Sequence, residues 1–287
     1  MLHKLLKGLA PVAAIALSGA LGGCNDIDIS IDGEKGVPLA QLDMSGDPPD
    51  ELVLAGPDKV IVTGGSALDI DVSGDSKAVD LVRFTLKDGT LGVMREKGSW
   101  NDAGQAVVKV TMPAPRSITI AGSGSVEAEG MADEADMIIA GSGSLNVREL
   151  KANEADATIA GSGSLTAAGA SDNLDLNLLG SGKAKMPDLK VGSADVTIAG
   201  SGDASFASDG KVEANIMGSG TVKVIGRATC EVSSMGSGKL VCETPAESEE
   251  VAAAGKAEVK GKKAAKKAAA KQKIAKKKNS PKKPRKA

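Results

Sequence analysis

Histidine occurs once in the 287 residues, at His3, and tyrosine not at all; aromatic residues make up 1% of the chain. His3 lies in a segment expected to be removed, so the mature chain has no histidine. That excludes histidine general bases, Ser-His and Cys-His nucleophile pairs and imidazole metal ligands. Scarce aromatics beside 36 glycines argue against a thick, conventionally packed core and for a thin aliphatic one. Charge of one sign is also missing overall, because the formal net charge is -2. That balance hides a division: residues 246–287 hold 15 Lys/Arg against 4 Asp/Glu, which leaves 20 against 33 in residues 1–245. An acidic body therefore carries a basic tail.

The chain opens with His3, Lys4 and Lys7, continues through an apolar run from Leu9 to Leu21, and closes on Leu21-Gly22-Gly23-Cys24. The run is short for a membrane-spanning helix and reads as a signal peptide over residues 1–23. Small residues before Cys24 predict a lipobox, with Cys24 lipidated and made the new N-terminus. Cleavage near Ala20 or an uncleaved anchor are the alternatives. Asn25, where an Asp would favour inner-membrane retention, favours the outer membrane. Residues 24–50, with Pro38, Pro48 and Pro49, read as an extended tether.

Gly-Ser-Gly recurs seven times, beginning at Gly122, Gly141, Gly161, Gly180, Gly200, Gly218 and Gly236, at intervals of 18 to 20 residues. A period that steady predicts stacked units. Two residues before the glycine stand Ile120, Ile139, Ile159, Leu178, Ile198, Ile216 and Ser234; four after it stand Val126, Leu145, Leu165, Ala184, Ala204, Val222 and Leu240. Both flanks alternate with period two, which predicts short strands with one face inward, joined at a glycine corner. Each turn is then one rung, paired to its neighbours in parallel about 4.8 Å apart. An antiparallel sandwich is the competing fold, but it needs no identical turn at a fixed interval. Upstream, Val60–Thr63, Leu68–Val72, Leu81–Leu86 and Val107–Met112 predict irregular first rungs and a cap, with Phe84 and Trp100 covering the end of the bore. The solenoid is expected over residues 51–245 and a disordered Lys/Ala-rich tail over 246–287.

The strand-rich entry with Leu86-Lys87-Asp88-Gly89-Thr90-Leu91, followed by blocks such as Ile118 to Ser125, resembles the head GIN domain family of bacterial envelope proteins, over roughly residues 55–244. The resemblance implies an all-β, right-handed parallel β-helix and an adhesin-type role. It does not extend to the tail.

Five residues before the glycine, on the outward phase, stand Asp136, Asp156, Asp175, Asp195, Glu213 and Glu231. Unit charges about 5 Å apart repel by roughly 0.8 kcal/mol even at the dielectric of water. The column is expected either to bind Ca²⁺ or a polycation, including the chain's own lysines, or to be a solvated face that keeps strands from aggregating. The central serines of the corners form a further ladder, expected either to read glycans or to satisfy the corner backbone. Gly180–Lys183 and Gly236–Lys239 lack the remaining features of a phosphate loop, so nucleotide binding is not expected. Cys230 and Cys242 share the inward phase of the last rung and in an oxidising compartment are expected to be bridged, free buried thiols being the alternative. In the tail, Lys262, Lys263, Lys266, Lys267, Lys276, Lys277, Lys278, Lys282 and Lys283 suit polyanions. The sequence thus predicts a non-enzymatic envelope lipoprotein, a structural or adhesion module binding surface polymers, without a required cofactor. A polysaccharide-processing β-helix enzyme and a nucleic-acid or polyanion binder acting through the tail are the alternatives.

Overall fold

The computed structural model describes residues 15–18, 28–31, 33–96 and 103–244. Trp100, Cys24 and the nine tail lysines named above lie outside the described residues. β1 (Ile15–Ser18), inside the expected signal peptide, pairs antiparallel with β2 (Asp28–Ile31). Within the stretch read as a tether, Val37 exchanges two backbone hydrogen bonds of 2.8 Å with Phe84, and Leu39 and Leu42 pack against the core.

The chain winds into a β-solenoid of about seven turns, whose rungs do not stack in chain order at the start. β3 (Glu51–Ala55) and β4 (Lys59–Gly64) make the first rung. The chain then leaves the stack through β5 (Asp69–Gly74), α1 (Ser76–Leu81) and β6 (Val82–Lys87), and returns as β7 (Thr90–Arg95) and β8 (Ala106–Met112). β7 and β8 pair in parallel with β3 and β4 on one side, while β9 (Ser117–Gly122) and β10 (Ser125–Gly130) pair with them on the other. The first rung therefore lies inside the stack. β5 and β6 run antiparallel to β8 and β7 and close this end, and Phe84 of β6 is buried at 1% exposure.

Two devices fix the capped end. Gly56-Pro57-Asp58 occupies the corner where later rungs have Gly-Ser-Gly, as Ala55 aligns with Ala121. Asp58 and Arg95 are buried, and Arg95 Nε and Nη2 donate to the Asp58 carboxylate at 2.7 and 2.5 Å. Asp58 also accepts the Ala106 backbone N–H at 2.8 Å, and Arg95 Nη2 donates to the Gly104 carbonyl at 2.8 Å. One ion pair thus ties the end of β7 and the start of β8 to the rung beside them.

The remaining rungs follow in order: β11 (Glu134–Gly141), β12 (Ser144–Gly161), β13 (Ser164–Gly180), β14 (Lys183–Gly200), β15 (Asp203–Ser208), β16 (Lys211–Gly218), β17 (Thr221–Ile225), β18 (Thr229–Gly236) and β19 (Lys239–Glu243). Two short strands per turn were expected. Instead β12, β13 and β14 each run unbroken from one Gly-Ser-Gly to the next, because the bend opposite that corner is taken within the strand. The unequal repeat lengths are absorbed there: β12 and β13 shift register between Val147 and Leu150, and β13 and β14 between Leu165 and Gly169. The glycine corners consequently stay aligned, Gly141 over Gly122 and so on to Gly236 over Gly218.

That alignment needs glycine. Gly161 has φ +126, and a Cβ there would stand 2.4 Å from the Gly141 carbonyl oxygen; at Gly163 it would stand 2.5 Å from Ile139 Cγ2. Ile120, Ile139, Ile159, Leu178, Ile198 and Ile216 stack inward below 2% exposure and fill the bore with Val126, Leu145, Leu165, Ala184, Ala204 and Val222. Each Ile, Leu or Val among them contributes roughly 1.5–3 kcal/mol by leaving water, which lets so thin a core hold.

Candidate functional site: the outer wall at the glycine corner

Because residues alternate in and out, positions five, three and one before the first glycine and the serine after it lie on the outer side of the rung, open except near the cap, where Thr119 is buried and Ala121 packs against the cluster of Ile31, Val53, Ala55 and Met94. They form one wall of four parallel columns, with rungs about 4.8 Å apart and neighbouring columns about 7 Å apart. Parallel pairing aligns Asp136, Asp156, Asp175, Asp195, Glu213 and Glu231 in the outermost column. The next column holds Thr119, Ile138, Thr158, Asn177, Thr197, Asn215 and Ser233 in the same register.

The acid column is compensated only at its ends. Near the cap, Arg116 Nε donates to Asp50 Oδ2 at 2.7 Å and Nη2 bonds Glu51; Asp136 also draws on this guanidinium. At the far end Lys211 pairs with Glu213 and lies 3.7 Å from Glu231. Asp156, Asp175 and Asp195 have no cationic partner among the described residues. Partial burial, followed by Asp175, Glu154 and Asp136, pushes the Asp156 carboxyl up to about 6. Partial burial likewise raises Asp175, opposed by the hydrogen bond that Asn177 Nδ2 donates to it at 2.8 Å, and raises Asp136 against the pull of Arg116.

No three His, Cys, Asp or Glu side chains converge on a metal position among the described residues. The rung spacing keeps these carboxylates in single file, so the calcium form of the expectation finds no ligand set. The same file lacks the facing carboxylate pair that glycoside hydrolysis uses.

The corner backbone is bonded without the serine hydroxyls. Corner backbone groups are satisfied by rung-to-rung bonds, such as Ser162 N to Gly141 O at 2.9 Å and Ser181 N to Gly161 O at 2.9 Å. Ser123, Ser142, Ser162, Ser181, Ser201, Ser219 and Ser237 are all exposed, and their hydroxyls engage no partner among the described residues. Seven free hydroxyls therefore stand in a row.

Beside them runs a column that carried no sequence expectation, the residue directly before each glycine: Ala121, Ala140, Ala160, Leu179, Ala199, Met217 and Met235. Leu179, Met217 and Met235 are 47%, 52% and 75% exposed. An apolar residue on the outward phase of a regular repeat was the available signal. The combination of hydroxyls, an apolar strip, amides and carboxylates matches the mixed chemistry of a sugar ring, which has apolar faces and polar edges.

In the last rung Cys230 and Cys242 are joined as a disulfide, with Cα atoms 6.8 Å apart.

No curated protein matches the sequence. Solved structures share the fold. A crystal structure described as a "putative adhesin" from Bacteroides fragilis has a TM-score of 0.62 and 19% identity, covering 69% of this chain and 93% of that one. One described as a "putative lipid binding protein" from Parabacteroides distasonis has a TM-score of 0.53 and 21% identity, covering 69% and 93%. A further "putative adhesin", from Parabacteroides merdae, has a TM-score of 0.53 and 19% identity, covering 69% and 92%. A family model spans residues 48–228, from the capped rungs to just before β18, and on that match the chain belongs to the family described as "Putative auto-transporter adhesin, head GIN domain".

Proposed function

We propose that this chain is a non-enzymatic adhesion module of the bacterial envelope, anchored through lipid on Cys24, and that its outer wall binds a repetitive surface polysaccharide. The observation that carries the reading is the row of exposed, uncommitted serine hydroxyls held in register beside an apolar strip. A polymer lying along the solenoid axis meets the same set of groups at every rung, so weak contacts add along its length. The filling of the bore by aliphatic side chains supports a site on the outside. Membership in an adhesin-type family agrees with this reading.

Co-sedimentation with insoluble envelope polysaccharides tests it. Replacing Ser162, Ser181 and Ser201 together by Ala should release the protein into the supernatant while leaving its thermal unfolding unchanged. Equal binding by the triple variant refutes the wall as the site. Anchoring is read separately, by palmitate labelling and membrane fractionation of the native chain and a Cys24→Ala variant. The lysine tail supplies a second, salt-sensitive attachment to envelope polyanions. Deleting residues 255–287 should remove the salt dependence of that attachment.

A further inference from the structure

The two ends of the solenoid differ. β5, α1 and β6 cover one end, whereas β18 and β19 pair with β16 and β17 on one side and, among the described residues, with no strand on the other. Side chains that point into the bore are open here: Val232 is 54% exposed, while Ala214, its neighbour one rung in, is 2% exposed. An end of this kind presents a row of unpaired backbone donors and acceptors, a template for another strand. The Cys230–Cys242 bond ties β18 to β19 and holds that template in shape.

The sequence of β19, Lys239-Leu240-Val241-Cys242-Glu243, is complementary to itself when read antiparallel. A two-fold axis at Val241 sets Lys239 opposite Glu243 of a second copy, twice over, and Val241 opposite its own equivalent. Leu240 falls opposite Cys242, so bore-facing residues meet bore-facing residues and the alternation of the strand continues across the junction. Lys239 has no ion-pair partner among the described residues, and Lys223 holds Glu243 at the rung edge at 2.9 Å. From this charge complementarity and the open edge we propose that two copies of this chain join end to end, β19 pairing antiparallel with β19 about Val241. The opposite end is capped, so association closes at a dimer instead of growing into a fibre. Such a dimer sets the two capped ends at opposite poles. The junction lies beyond the stretch matched by the family model.

Cross-linking of the full-length chain in intact cells tests the junction. Val241→Cys places two thiols directly across the axis and should give a dimer on non-reducing electrophoresis that reductant abolishes. Lys185→Cys, in the same outward column at mid-solenoid, should give none. Adding Lys239→Glu to Val241→Cys sets like charges opposite each other and should lower dimer yield about tenfold. Adding Glu243→Lys as well should restore it. The new thiol can disturb the Cys230–Cys242 bond, so sedimentation of Lys239→Glu and of Lys239→Glu/Glu243→Lys, with all cysteines native, gives the second readout: monomer for the single change, dimer for the double. A wild-type chain that sediments as a monomer at every concentration overturns the proposal, as does cross-linking that is equal at residues 185 and 241 or indifferent to charge reversal.

Discussion

Replacing Asp156 by Asn should stabilise the protein at neutral pH and not at acid pH. Asp156 stands between Asp136 and Asp175 without a cation, and its carboxyl is raised from 3.8 to about 6. A carboxyl raised on folding binds its proton more tightly in the folded state. Its cost is therefore absent below the unfolded value, grows as pH rises from about 4 to about 6, and is constant above. A shift of that size corresponds to roughly 3 kcal/mol if unscreened. The side chain is open to water, so screening reduces this to about 1 kcal/mol. Asn keeps the shape and removes the charge. At pH 7.5 the variant should melt about 2–4 °C above the parent. At pH 4 the two should coincide. Thermal unfolding followed by circular dichroism at both values decides it. A variant less stable than the parent at pH 7.5, or one with the same gain at pH 4, refutes the idea that partial burial and acidic neighbours make the Asp156 charge costly.

Three further perturbations probe what holds the rungs. Gly161→Ala forces a side chain into a positive φ and against the Gly141 carbonyl, so it should cost about 3 kcal/mol or more, read as a lowered denaturant midpoint. Asp58→Ala leaves the Arg95 guanidinium buried without a counter-charge and should destabilise the cap by about 3–5 kcal/mol, while Asp58→Ala with Arg95→Met should recover much of the loss. Cys230→Ser opens a loop of sequence separation 12, worth about 3 kcal/mol by chain entropy. Because this rung is terminal, the effect should appear as faster hydrogen exchange across 229–243 with little change in global melting. Two titratable thiols in the denatured, unreduced parent would show that the bond is not formed.

The repeat was legible because stacking imposes a strict demand at one point per turn. Gly161 and its equivalents must lack a Cβ, so the corner is written in the sequence at each rung, and the inward Ile column follows from period-two alternation. The order of the first rungs was not legible. Val60–Thr63 and Val107–Met112 look alike as strands, and which lies outermost is settled by the Asp58–Arg95 pair, 37 residues apart in sequence, and by the antiparallel pairing of β5 with β8, neither of which a local pattern records. Nor did periodicity reveal that β12 to β14 run unbroken, because bulges at Val147 and Leu165 leave the alternation intact on either side. Of the wall, the acid and serine columns could be read directly. That the serine hydroxyls stay unengaged among the described residues could not, since it depends on rung-to-rung backbone bonds already satisfying the corner.

The dependence of binding on ligand length tests the account most directly. The serine column spans six rung steps, about 29 Å at the spacing of paired strands. Titration with size-fractionated oligosaccharides from the bound polymer should show affinity rising with length until the ligand spans the column and levelling off beyond it. The Ser162/Ser181/Ser201→Ala variant should flatten that rise. Affinity independent of length, or a rise that the variant keeps, contradicts recognition by an in-register wall.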